Sequence, residues 1–409
     1  LSYIIYALLA GLVLWGMKFS GVRGFHEDFI SLEVTKCLQG VCAVCVMLHH
    51  ISQTGAFDKA GELTIFPEAG FLFVGVFFFC SGFGLVKSMK TKPGYLDSFM
   101  RKRLPTVLIP FYTMTAAFAV YYVVTGVTMP ADKWALSAIG LVLMNPHAWY
   151  IVVISLLYVA FYLIFSRVRS ERLAFGIMGL FVFVQIALFP FWGHIAWWAG
   201  NTGWWREPTG YATAAWWMQP VALWFQGEWW VNSTILFFFG MLFARFERPV
   251  VEWMRRRYWL KLAITAAVFV GFNSLETYVG DRFTYWTEFG PSASLGFASK
   301  SICIAAQIPE VTAFVFLLFV AMMKVRSVNP VTKFLGAIAL EIYLMHNILL
   351  MQFASLISSN PSAGQRAVPI IAENRSNLAL FATVVVLGGI ALGALFRLVN
   401  KKLISLAIK

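Results

Sequence analysis

Residues Val34–His50 read VTKCLQGVCAVCVMLHH, a largely apolar run closed by two consecutive histidines. Its length and composition predict a helix buried in protein or membrane. Imidazole is the side chain best suited to moving protons near neutral pH. Two of them at the end of an apolar helix are costly unless they have partners or a task. On a helix turning about 100° per residue, Gln39 and His50 share a face, roughly 16 Å apart along the axis. His49 falls on another stripe, with Cys42 and Cys45 at i, i+3, i+7 spacing. That spacing suits metal ligation, but buried cysteine more commonly acts as a small hydrophobe, and no metal is expected.

The remainder of the chain has the same character. Its 409 residues are 60% hydrophobic and 12% charged, where a soluble protein carries roughly 25% charged residues. The mean hydropathy is +0.74. Apolar runs recur near 1–17, 34–52, 70–86, 104–124, 147–166, 173–191, 232–244, 258–274, 301–323, 334–357 and 376–396. They predict an all-α, polytopic membrane helical bundle of about eleven transmembrane helices. No series of alternating ten-residue strands suggests a membrane barrel. The first run lacks a small-residue cleavage site and is expected to be a span, not a signal peptide.

The net charge of +13 is decided by its distribution. Between the expected spans, 25 of the 32 basic residues fall in alternate segments, among them Lys87–Arg103 and Arg245–Lys261. The positive-inside rule puts that set in the cytoplasm, with the N-terminus outside and the C-terminus inside. The charge therefore reflects topology and attraction to anionic lipid, and nucleic acid is excluded as a partner. All five cysteines lie in expected spans, so no disulfide framework is predicted.

Residues 1–33 are expected to form an additional span and connector, 34–396 a membrane core, and 397–409 a cytoplasmic tail. No soluble domain or internal repeat is evident. The segment 191–231 holds ten of the sixteen tryptophans. It is expected to be an interfacial aromatic belt, with sugar stacking as a second reading.

Ionisable residues within the spans are few, so each is a functional candidate. His49 and His50 end the second span, and His147, next to Trp149, opens the fifth in NPHAWYI. Glu310 follows Pro309 in the ninth, and Glu341 and His346 lie in the tenth. Glu341 and His346 are five positions apart, about 140° around a helix, so they should not pair directly. Within VFFFCSGFGLVKSMKTKPGYLDSFMRKRLPTVLIPFY (76–112), Ser81 and Gly82 permit close helix packing. The basic loop that follows suits either topology or the phosphates of a nucleotide-bearing donor.

The chain resembles the acyltransferase-3 family of integral-membrane acyltransferases. The resemblance rests on KCLQGVCAVCVMLHH (36–50), FFFCSGFGL (77–85) with SFMRKRLPTVLIPFY (98–112), HAWYI (147–151), FFFGMLFAR (237–245) and FLGAIALEIYLMH (334–346), in that order. It implies a ten-helix core, to which the first span is an addition. The family pattern places a basic residue before the histidine of its first core helix, with ten residues between. Here His50 matches and Gln39 stands at the basic position. The family also tends to have two arginines three apart in its third core helix, where Arg103 matches and Thr106 replaces the second.

The resemblance implies acyl transfer, most simply of acetyl from acetyl-CoA, to a hydroxyl of an envelope glycan or other acceptor at the outer face of the bacterial cytoplasmic membrane. His50, helped by His49, is the implied catalytic residue. Lys36, Gln39, Ser81, Arg101, Lys102 and Arg103 are the implied donor-binding set. His147, Trp149, Glu310, Glu341 and His346 are expected to bind acceptor or support the site. Expected partners are membrane lipid and a glycan or glycolipid acceptor, with a homodimer as a further candidate. The competing reading is a transporter or flippase for an envelope glycan intermediate, with the buried histidines as a proton relay.

Overall fold

The computed structural model describes residues 1–126, 131–191, 229–283, 297–357 and 375–408. Among these residues, twelve principal helices organise the chain. They are α1 (Ser2–Leu14), α2 (Leu32–Ser52), α3 (Gly70–Thr91), α4 (Pro105–Val124), α5 (Trp149–Arg167) and α6 (Glu171–Leu188). Then follow α7 (Ile235–Arg245), α8 (Tyr258–Phe283), α9 (Phe297–Met322), α10 (Pro330–Ala337), α11 (Ala339–Gln352) and α12 (Arg375–Ile408). Short helices at Gly55–Lys59, Phe99–Arg103, Ala131–Ala138 and Glu247–Arg255 connect them.

Eight helices among the described residues are long and apolar enough to cross a membrane: α2 to α6, α8, α9 and α12. The α10–α11 pair, bent by 76°, makes a ninth span if counted as one. The chain is a multi-pass membrane protein. The first and seventh expected spans are filled by apolar helices of only 13 and 11 residues. These reach about 20 Å and 16 Å, short of a hydrocarbon core of about 30 Å. The last helix does not stop near 396 but runs on to Ile408. The tryptophans at 192–224 lie outside the described residues, whereas Trp230 is buried.

Helix α2 is the central element. The Ser31 side chain caps its first turn by accepting from the Val34 N–H, and Glu33 complements the positive end of the helix dipole. It packs against α3, α10, α11 and α12. Its approach to α10 depends on Gly40 and Gly336. A methyl group on Gly336 would overlap the Lys36 carbonyl, and one on Gly40 would overlap the Gly336 backbone. In a bilayer, where burying apolar surface gains little, such close backbone contact is a main source of helix association. Gly336→Val should therefore lower stability by about 1–3 kcal/mol or more. A fall in the unfolding temperature of the detergent-solubilised protein would report it; an unchanged value would show that α10 is held elsewhere. A second close approach joins α3 to α7, where Gly82 and Gly240 meet the carbonyls of Phe237 and Phe79.

At the end of the bundle that bears Lys36, two short strands pair antiparallel, Met17–Phe19 with Val325–Ser327. Asn329 starts α10 with a reciprocal capping box to Thr332 and also donates to the carbonyls of Leu12 and Trp15 at 2.8 and 3.1 Å. Lys324 donates to the carbonyls of Gly21, Val22 and Gly24, with its ammonium 3.9 Å from the centre of the Phe25 ring. This pins the connector between α1 and α2 to the α9–α10 junction.

Candidate active site

At the far end of α2 from Lys36, four histidines from three segments of the chain converge. His50 is buried, and its Nδ1 lies 2.6 Å from Nε2 of His346 on α11. The His50 ring stacks on His147 with centroids 3.7 Å apart and planes inclined by 29°. His49 is tilted against His50 at 5.0 Å and donates from Nδ1 to the Phe66 carbonyl at 2.9 Å. Its Nε2 edge lies against Gly70, at the start of α3. His346 is fully buried and donates from Nδ1 to the Ile342 carbonyl one turn earlier, at 3.0 Å.

The segment carrying His147 is fixed by hydrogen bonds, not by regular structure. Asn145, fully buried, accepts from the His147 N–H at 3.1 Å and opens the 3₁₀ turn Pro146–Ala148. Its amide donates to the Leu344 carbonyl at 2.8 Å, and Asn347 donates back to its Oδ1 at 3.2 Å. Tyr343 donates to the His147 carbonyl, and Tyr122 to the Met144 carbonyl at 2.7 Å. α11 thus holds both His346 and, through Asn347 and Tyr343, the turn that presents His147. Trp149 is buried at the start of α5, edge-on to Tyr150.

A second group forms at the other end of α2. Lys36 lies within charge-interaction range of Arg103, Arg397, Glu341 and Cys80. Glu341, only 1% exposed, pairs with Arg397 at 3.4 Å and accepts from Asn400 at 3.3 Å. Asn400 in turn accepts from Thr113 on α4 at 2.7 Å. Arg103 donates to the Tyr95 hydroxyl at 3.3 Å and lies 6.0 Å from the Tyr158 ring centre. Ser81 shares a hydrogen bond with the Tyr158 hydroxyl at 2.6 Å. The Gln39 amide lies against the Cys80 sulfur. Arg101 and Lys102 are exposed.

With both groups and the helix joining them in view, the comparison with known families is decisive: a family model described as an acyltransferase domain matches residues 36–398. The chain belongs to the acyltransferase-3 family. No curated protein and no solved structure matches it.

In this acyltransferase the candidate residues separate into three places. His49, His50, His147 and His346 come together, with Trp149 beside the turn that carries His147. Lys36, Gln39, Ser81, Arg103 and Glu341 gather toward the opposite end of α2. Glu341 and His346, as their spacing predicts, do not pair with each other. Glu310 belongs to neither group. It is buried, accepts from Asn273 at 2.8 Å, and neighbours a chain of hydrogen bonds from Asn232 to Gln307 to Glu276, each 3.1 Å long.

At the family's second arginine position, the Thr106 hydroxyl donates to the Arg103 carbonyl at 2.7 Å. It is turned back onto the preceding backbone and supplies no charge. Arg397 supplies a cation to this group instead, and sequence reading placed it in a tail. Asn145, Asn347, Tyr343 and Tyr158 were likewise missed. Only Asn145, preceding Pro146, carries a local signal, because Asn-Pro favours a turn. Among the described residues no group of three His, Cys, Asp or Glu side chains is arranged to hold a metal ion. The Cys42, Cys45, His49 spacing accordingly does not converge on one point.

Proposed function

We propose that this acyltransferase moves an acyl group, most simply acetyl, from acyl-CoA to a hydroxyl of an envelope glycan or other acceptor outside the cytoplasm. The observation that carries the reading is the division of α2. Lys36, Arg103 and Arg397 gather at one end, and the imidazoles of His50, His147 and His346 at the other. Fourteen positions separate Lys36 from His50, about 21 Å of helix. A donor with phosphates at one end and a thioester at the tip of a long thin arm matches that separation. The concentration of basic residues at the Lys36 end favours a cytoplasmic placement for it, where acyl-CoA is made, within a bacterial cytoplasmic membrane.

The reaction needs one base and no net proton release. His50 takes the proton from the acceptor hydroxyl as its oxygen attacks the thioester carbonyl. The carbon–sulfur bond then breaks, and the proton passes to the departing thiolate of coenzyme A. Lys36, Arg103 and Arg397 hold the donor phosphates by charge-assisted contacts. The test is mass spectrometry of envelope glycans from cells with and without the gene, together with purified protein in liposomes given labelled acetyl-CoA. An acetyl-sized mass difference and label in the acceptor are expected. Acceptor movement across the liposome membrane without acyl-CoA would instead favour a flippase.

Arg397 gives a narrower check. Arg397→Ala should raise the KM for acyl-CoA about tenfold or more, the weight of one phosphate contact. The double variant Arg397→Ala/Glu341→Gln removes the carboxylate left behind, and so separates donor binding from stability. A KM unchanged in both variants would remove Arg397 from the donor site.

A further inference from the structure

The hydrogen bonds around His346 fix more than its own position. Its Nδ1 faces the Ile342 carbonyl at 3.0 Å, and a carbonyl oxygen only accepts, so Nδ1 carries a hydrogen. The ring is fully buried, and among the described residues no carboxylate pairs with it or with His50. An imidazolium there would be a buried charge without a counter-ion, so the ring is neutral. A neutral imidazole has one N–H, which leaves Nε2 of His346 as an acceptor. The partner 2.6 Å away is Nδ1 of His50. His50 must therefore donate from Nδ1, and its own lone pair then lies on Nε2.

We infer that His346 is a positioning residue that holds His50 in the tautomer with a bare Nε2, so that Nε2 serves as the base. This rests on the reading of His50 as the base in acyl transfer and adds what makes it one. Alone, neutral His50 would divide its hydrogen between two nitrogens and turn about its side-chain bonds. With the rings nearly coplanar, inclined by only 6°, the His346 contact removes both freedoms. An oriented carboxylate does the same for histidine in hydrolytic triads. A second imidazole suits a membrane interior better because it brings no charge. His49 cannot take over this part, because its own Nδ1 hydrogen is directed to the Phe66 carbonyl. His346 reaches His50 only because α11 begins anew after the bend at Ile338 and runs alongside α2.

Two measurements test the inference independently. The first is nitrogen-15 NMR of histidine-labelled protein in bilayers, where a chain with six histidines allows assignment by difference from His50→Gln. Wild-type His50 should show a hydrogen on Nδ1 and none on Nε2, and His346→Leu should turn this into a mixture of tautomers. A hydrogen on Nε2 in the wild type, or a His50 signal unmoved by His346→Leu, overturns the inference whether or not acyl transfer is observed. The second is kinetic. His346→Leu should lower kcat roughly 10²-fold with little change in acceptor KM, and His346→Gln, whose side-chain oxygen also accepts, should recover much of it. Equal losses in the two variants would mean that His346 only fills space. In a His50→Ala background His346→Leu should cost nothing further. If wild-type protein transfers no label, the acyltransfer reading fails, while the NMR result still decides what His346 does to His50.

Discussion

His50→Ala is expected to reduce label transfer from acetyl-CoA to the acceptor by about 10²- to 10⁴-fold, the range associated with losing a positioned base. The protein should still fold, because the close backbone approach of α2 to α10 at Gly40 and Gly336 is untouched by the substitution. Donor affinity should be unchanged, because the cations gather at the other end of α2. The comparison that gives this meaning is His49→Ala. Its ring is committed to the Phe66 carbonyl, so the loss there should be much smaller. Residual transfer in His50→Ala within a factor of a few of wild type would remove His50 from the chemistry. An equal collapse in both variants would point to damage of the whole end of the bundle.

The second large effect is expected at a residue that touches no substrate. Asn145→Ala removes three hydrogen bonds from a fully buried position. It leaves the Leu344 carbonyl, the Asn347 amide and the His147 N–H each short of a partner. A buried polar group left unsatisfied costs about 1–3 kcal/mol, so the combined loss should reach about 3 kcal/mol or more. Because these bonds tie the His147 turn to α11, transfer should fall along with stability. The unfolding temperature of the variant, compared with that of Asn347→Ala, is the measurement. Asn347→Ala removes only one of the three bonds and should be the milder change. Equal, small shifts in both would show that Tyr343 and Tyr122 suffice to hold the turn.

Most of the membrane architecture was legible in the sequence, because apolar length is a direct physical requirement for crossing a bilayer. The runs at 34–52, 147–166 and 301–323 are helices close to where hydropathy put them. The run at 334–357 could not be read correctly. Its hydropathy is continuous, and the bend at Ile338 lies beside the packing of Gly336 against the Lys36 backbone, a tertiary contact with no local signature. The histidines stood out because ionisable groups are rare in apolar helices. Their convergence did not, since His50 and His346 are 296 positions apart. Arg397 was hidden for a different reason. Positive charge after a last span is what topology alone predicts, so a cation turned toward a buried carboxylate looks like any other in that segment. Gln39 could be seen to break the family pattern, but its neighbour Cys80 could not be named from the sequence.

The shortness of α7 has a wider meaning for how this protein fits its bilayer. With eleven residues it cannot match the hydrocarbon thickness, and a lone helix of that length would force the surrounding lipid to thin. Yet none of Trp230–Arg245 is exposed. α7 packs closely on α3, so its length is not set by the acyl chains. The irregular stretch before it, 229–234, is tolerated at that depth for the same reason: backbone without helical partners is stable in a membrane only where protein surrounds it. Asn232 and Ser233 belong to that stretch; Asn232 donates to Gln307 on α9, which donates in turn to Glu276 on α8. The hydrophobic mismatch is thus resolved within the bundle, as a hydrophilic seam in its interior, and the lipid boundary is left to the longer helices.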